Sequence, residues 1–136
     1  MKSMIPIVLI LALATAYGFW HRSTRGVVKQ RANKYGSLNE EVLGAPLGVN
    51  ATLVQFSSVF CTPCRATRSL LQNIVADMPG VVHIDVDAEE QLELVRTLDI
   101  RSTPTTLFLD SHGIEVGRAV GAPNRAQVLT ALAALN

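Results

Sequence analysis

Histidine, cysteine and, over long stretches, charge of one sign are scarce in this 136-residue chain, and each scarcity removes a class of function. The only two cysteines are Cys61 and Cys64, and the three histidines, His21, His83 and His112, are scattered. A structural zinc site needs four ligands, usually two cysteine pairs or added histidines, so the zinc reading is set aside and no metal or cofactor is expected. Covalent haem attachment requires histidine directly after the second cysteine, where Arg65 stands. Residues 1–36 hold six Lys or Arg and no acid, whereas residues 37–136 hold six Arg, no Lys and all eleven acids, giving +6 against 6 − 11 = −5. An acidic domain of this kind has no nucleic-acid footprint. There are no internal repeats or low-complexity tracts, and the length fits one domain with an appendage.

Met4 to Trp20 has no charged side chain. As a helix it would reach roughly 25 Å at about 1.5 Å per residue, slightly short of a hydrocarbon core of roughly 30 Å. Pro6 falls in the first turn, where a missing N–H is tolerated, and Tyr17, Phe19 and Trp20 gather at the far end like an interfacial belt. Ala14-Thr15-Ala16 has the small-x-small form of a cleavage site, so a cleaved leader is the rival reading. Against it, only Lys2 precedes the run, while His21, Arg22, Arg25, Lys29, Arg31 and Lys34 follow it. Positive residues tend to stay in the cytoplasm, which favours an uncleaved single-pass anchor over residues 1–21 with the domain inside the cell; an extracytoplasmic domain is the alternative. Residues 22–36 read as a basic juxtamembrane stalk, mainly solvated and drawn to anionic headgroups at roughly 1 kcal/mol per basic residue. Residues 37–136 form the folded domain.

The domain is organised around Phe56-Ser57-Ser58-Val59-Phe60-Cys61-Thr62-Pro63-Cys64-Arg65. A β-prone run feeds into the cysteine pair, and a helical pattern starts at its second residue. A thiol delivered to the first turn of a helix meets unpaired backbone N–H groups and the positive end of the helix dipole, which favours thiolate over thiol. The expected chemistry is thiol–disulfide exchange. A static disulfide here would close a very short loop and constrain little of the unfolded chain, so a structural role is the weaker reading.

Ser37-Leu38-Asn39-Glu40 has a capping-box form, and Gly44-Ala45-Pro46 stops any helix within about two turns. Thr52 to Ser57 reads as a strand. Cys61 or Thr62 to about Met78 reads as a helix with an inward stripe of Ala66, Leu70, Ile74 and Met78, flanked by Leu71 and Val75. Val81 to Val86 is a strand with Val82, Ile84 and Val86 on its apolar face. Asp87 is expected to cap a helix from Ala88 to about Leu98 that turns Leu92, Val95 and Leu98 inward. Thr105 to Leu109 and Ile114 to Val120 form strands joined through Asp110-Ser111-His112-Gly113, and Asn124 with Gln127 caps a last helix through Leu135. The order β-α-β-α-β-β-α is an α/β arrangement with a terminal hairpin.

The segment Phe56 to Arg65, with Pro63 between the cysteines, resembles the active-site segment of the thioredoxin family. Thr103-Pro104-Thr105 resembles that family's loop carrying a cis-proline, Gly113 sits where its last two strands turn, and Val120-Gly121-Ala122 matches the glycine before its last helix. All four pieces are correctly spaced over residues 52–136, and with the apolar N-terminus the chain looks like a membrane-anchored bacterial thioredoxin-like protein. The resemblance implies a thioredoxin-like α/β fold, a central mixed sheet flanked by helices. The little room between residues 37 and 51 implies a truncated or irregular opening β-α unit.

The resemblance also distributes roles. Cys61 is the nucleophile, its pKa lowered by the helix N-terminus with Arg65 and Arg68 close along the chain, and Cys64, one turn further in and buried, resolves the mixed disulfide. Thr103–Pro104 is expected in cis, leaving the Thr103 backbone free to pair with an extended substrate. Phe60, Thr62, Pro63, Thr103, Pro104 and Gly121 line the substrate groove. Thr62 replaces a common glycine, leaving the redox potential open. Phe60 and Ser57 stand where tryptophans are usual, and Phe60 is either an apolar lip or core packing. Gln55 and His83 replace an aspartate and a lysine. One hypothesis has His83, oriented by Gln55, accept the Cys64 proton; the favoured alternative is a hydrogen-bonded strand histidine.

Three functions follow. The leading one is a disulfide oxidoreductase, a monomer at the cell membrane that reduces protein disulfides and is recharged by an electron-donating reductase. The second keeps the fold but places it outside the membrane, for oxidative folding or cytochrome maturation. The third is a non-catalytic binding module or redox sensor, against which the intact cysteine pair argues.

Overall fold

The computed structural model describes residues 4–24, 26–30 and 35–135, so Arg25, Arg31 and Lys34 of the expected stalk lie outside the described residues. The elements are α1 (Ile5–Thr24), β1 (Val28–Gln30), α2 (Glu40–Leu43), β2 (Ala51–Ser57), α3 (Thr62–Ala76), β3 (Val81–Asp87), α4 (Leu92–Thr97), β4 (Thr105–Asp110), β5 (Glu115–Val120) and α5 (Arg125–Ala133). One five-stranded sheet runs in the order β1-β5-β4-β2-β3. Only β2 and β3 are parallel; the other three pairings are antiparallel.

All seven residues of β2 are buried, because helices cover both faces of this central strand. One face carries Val54, Phe56, Ile84, Val86, Leu107 and Leu109, closed over by Leu38, Leu43, Leu98 and Ile100. The other carries Ala51, Leu53, Phe108 and Ala119 against Leu71 and Ile74 of α3 and Val128 and Leu132 of α5. Full burial of one such leucine or phenylalanine stabilises by about 1.5–3 kcal/mol. The two layers therefore fix where β2 ends, and the end of β2 is where the cysteines are.

Two polar devices finish the frame. Arg118, buried on β5, donates from Nε and Nη2 to the two carboxylate oxygens of Glu115 at 2.6 and 2.8 Å, and from Nη1 to the Leu98 carbonyl at 2.9 Å, tying the end of α4 to the sheet. Gly113 turns the β4–β5 hairpin at φ +76, and a Cβ there would collide with the Leu38 carbonyl. The Leu38 N–H in turn donates to the Gly113 carbonyl at 2.8 Å, so the chain entering the domain is locked onto that turn.

Several local expectations change. The segment read as a solvated stalk contains β1, which pairs Val28 with Ala119 and Gln30 with Gly117. With the four-residue α2, it makes the short opening unit. Asn39, not Ser37, caps α2 by accepting the Val42 N–H at 3.0 Å. Asp87 accepts from Glu89 N at 2.8 Å and so caps a turn; α4 starts only at Leu92, and Leu92 itself is exposed. The buried stripe of α3 is Cys64, Thr67, Leu71 and Ile74, with Ala66 exposed, a phase set by the need to put Cys64 inward. α5 has the expected capping box between Asn124 and Gln127. The helix α1, 20 residues or about 30 Å, buries none of its side chains and is long and apolar enough to cross a membrane.

Candidate active site

The apolar register of β2 delivers Ser57 to the sheet's edge, Ser58 to Phe60 make the turn, and Cys61 becomes the N-cap of α3. Pro63 occupies the first turn, where its lack of an N–H costs nothing. Cys61 and Cys64 are joined by a disulfide with Cα atoms 5.2 Å apart. The Cys64 backbone N–H donates to Cys61 Sγ at 3.2 Å, so one unpaired amide of the helix start is already aimed at the outer sulfur. Cys61 is partly exposed, while Cys64 is 1% exposed. An incoming thiol or disulfide can reach only the first.

Opposite this turn, the Thr103–Pro104 peptide is cis. Ser58 Oγ and Thr103 Oγ1 lie 3.3 Å apart, tying the two loops together, and Gly121 N–H donates to the Pro104 carbonyl at 2.8 Å. Pro63, Thr103, Pro104 and Gly121 line one groove of about 970 Å³. Arg22 and Ser23, from the last turn of α1, line it too, which no local pattern in the sequence signalled. Phe60 and Thr62 are exposed beside the cysteines rather than in that groove. Phe60 is 94% exposed, which removes the core-packing reading and leaves a free apolar lip.

The floor beneath the disulfide is polar. Gln55, fully buried, donates from Nε2 to the Cys64 carbonyl at 2.8 Å, and its Oε1 lies 3.0 Å from His83 Nε2. A carbonyl only accepts, so the amide nitrogen must face Cys64; the amide oxygen then faces His83, and His83 Nε2 must carry the hydrogen. The suggestion that His83 takes the Cys64 proton does not fit this geometry, because the ring nitrogen turned toward the site is a donor and the chain of contacts ends on a backbone carbonyl. Burial, as the largest cause, holds the His83 pKa below the ordinary imidazole value; Asp85 opposes the shift and Arg68 adds to it.

Arg68 also departs from expectation. Its guanidinium is engaged with Asp85, Nε lying 2.6 Å from Oδ2 with Nη2 bridging as well, while Ser57 Oγ donates to Asp85 Oδ1 at 2.5 Å. That cation is matched by an aspartate, which leaves the start of α3 as the feature aimed at the Cys61 sulfur. The Ser57–Asp85–Arg68 cluster escaped the sequence reading because it joins positions 28 and 17 residues apart. Among the described residues, no three His, Cys, Asp or Glu side chains gather as a metal site.

Comparison with known proteins accords with this geometry. The chain is 34% identical over 99 residues to thioredoxin of Mycolicibacterium smegmatis, an alignment covering 71% of this chain and 85% of the relative. It is 36% identical over 69 residues to thioredoxin H5 of Oryza sativa subsp. japonica, covering 51% of this chain and 50% of that protein, so it spans only about half the length of such plant relatives. Among solved structures, Fasciola hepatica thioredoxin superposes with a TM-score of 0.58 at 24% identity, covering 65% of this chain and 84% of the other, and shares its fold. The thioredoxin family model matches residues 35–134. By that match the chain belongs to the thioredoxin family.

Proposed function

We propose that the protein is a membrane-tethered thiol–disulfide oxidoreductase that reduces protein disulfides. The observation that carries this reading is the partly exposed Cys61 sulfur receiving the Cys64 N–H at the start of α3, with its partner sulfur buried behind it. In the reduced protein the Cys61 thiolate attacks one sulfur of the substrate disulfide, forming a mixed disulfide and expelling the other substrate sulfur as thiolate, which takes up a proton. Cys64, as its thiolate, then attacks Cys61 Sγ. The second substrate sulfur leaves and is protonated, and the Cys61–Cys64 bond closes. Two electrons and two protons pass to the substrate per cycle, and a dithiol reductase restores the pair. Extended substrate backbone pairs beside Thr103, where the cis bond turns the chain away.

The helix α1 serves as a single-pass anchor, and Arg22 in its last turn with Lys29 beyond it favours a domain on the cytoplasmic side. The domain works as a monomer. Insulin reduction by the full chain tests the activity: Cys61→Ser abolishes turnover, and Cys64→Ser stalls as a covalent adduct to substrate. Turnover that survives Cys61→Ser sinks the proposal. Protease treatment of intact cells tests the location, since a cytoplasmic domain stays undigested.

A further inference from the structure

The strand that follows the apolar helix is clamped to β5, just before the Gly121 that borders the groove. Gly26 N–H donates to the Val120 carbonyl at 2.9 Å, and Val28 to Gln30 pair with Ala119 to Gly117. The next residue after Val120 is Gly121, whose N–H holds the Pro104 carbonyl. Gly26 has φ +77, and a Cβ there would overlap the Ala122 carbonyl, so this close approach needs glycine. Thr24 ends α1, and a single residue, Arg25, separates it from Gly26. Two Cα–Cα steps of about 3.8 Å cover at most about 8 Å. The end of the helix is therefore bound by chain length to the rim of the active site, and Arg22 and Ser23 accordingly form part of the wall of the groove that holds Pro63 and Pro104.

This leaves no spacer. Trp20 lies four residues before Thr24, about 6 Å along the helix axis, and Tyr17, Phe19 and Trp20 are all exposed in the manner of an interfacial girdle. With that girdle at the bilayer surface, the groove opens at headgroup level. A folded soluble protein with a recessed disulfide would have to push its own surface among the headgroups to reach Cys61. An extended segment emerging from the same bilayer would not.

We infer that the protein acts on disulfides carried just outside the bilayer, in extended juxtamembrane segments of other membrane-spanning proteins, and that the one-residue connection between α1 and Gly26 confines it to them. The inference rests on the anchored-oxidoreductase reading and deepens it. Electron flow is unchanged: the Cys61–Cys64 dithiol becomes the disulfide while the juxtamembrane disulfide becomes two thiols.

The test uses the full chain, pre-reduced and freed of reductant, in lipid nanodiscs of phosphatidylcholine and phosphatidylglycerol. Co-reconstituted peptides carry one transmembrane helix and one disulfide, placed about 3 or about 40 residues outside the bilayer on flexible Gly-Ser chain. Single-turnover thiol release is followed for each peptide and for soluble insulin. The near disulfide is reduced at least about tenfold faster than the far one, as confinement raises its effective concentration. Inserting about 15 Gly-Ser residues between Thr24 and Arg25 frees the domain by about 20 Å, removes the near-substrate preference and speeds insulin reduction. Equal rates on near and far peptides with the native chain overturn the inference, as does an insertion that leaves the preference intact. Absence of thiol release from every substrate, insulin included, instead brings down the oxidoreductase reading, and failure of the chain to enter the discs brings down the anchor; each takes this inference with it and is told apart by which signal is lost.

Discussion

The β2–α3 unit has two halves that share a strand and a helix yet are built differently. In the half away from the cysteines, Ala51 and Leu53 meet Leu71 and Ile74 in an apolar layer. In the half beneath them, the same strand face presents Gln55 and Ser57, and the same helix presents Arg68, with His83 and Asp85 supplied by β3. The apolar half sets where the sulfurs stand, because burial is strong but undirected. The polar half sets what surrounds them, because hydrogen bonds are modest in net worth but directional.

Substitutions can break this division, the largest effect first. Leu71→Ala empties a fully buried site and lowers stability by about 2–5 kcal/mol in a denaturant titration, while turnover per folded molecule at low temperature stays near the native value. Gln55→Leu leaves the His83 Nε2–H facing hydrocarbon and costs about 1–3 kcal/mol. Stopped-flow measurement should also find resolution of the Cys61 mixed disulfide slowed, an effect Leu71→Ala lacks. Arg68→Ala removes a half-exposed ion pair worth about 0.2–1 kcal/mol. Because Arg68 lowers the His83 pKa and Asp85 raises it, the imidazole should titrate at higher pH in this variant by NMR.

The smallest effect is a pH dependence. His83 binds its proton less readily folded than unfolded, so its contribution is fully retained above the ordinary imidazole value. As pH falls through that value the unfolded chain takes up the proton first and stability declines, levelling off below the lowered native pKa. The melting temperature of the native chain should therefore drop between neutral pH and pH 5, with a smaller drop in His83→Gln.

Local features were legible in the sequence. The β-prone run into Cys61, the Pro63 in a first turn, the Asp110 to Gly113 turn and the Asn124–Gln127 box each depend on neighbours close along the chain, and each forms as read. The cis bond at Pro104 was legible only through the family resemblance, since an isolated X-Pro bond is cis about 5% of the time. β1 was not legible: three residues, Val28-Lys29-Gln30, carry no alternation that separates them from linker, and their pairing partner lies about ninety residues on. The Arg68–Asp85 contact failed for the same reason, a pairing set by tertiary packing. The α3 stripe was misphased because a polar residue, Thr67, occupies a buried position and an alanine, Ala66, an exposed one.

Among the described residues, the strand order leaves β3 at the rim of the sheet, so the outward-facing backbone groups of this seven-residue strand have no partner strand. A bare rim of this kind invites rim-to-rim stacking between copies. Asp85, paired with Arg68, and Asp87 stand on that strand, and bringing two such rims together would set the Asp87 charges against each other. The charge at Asp87 thus works against such stacking.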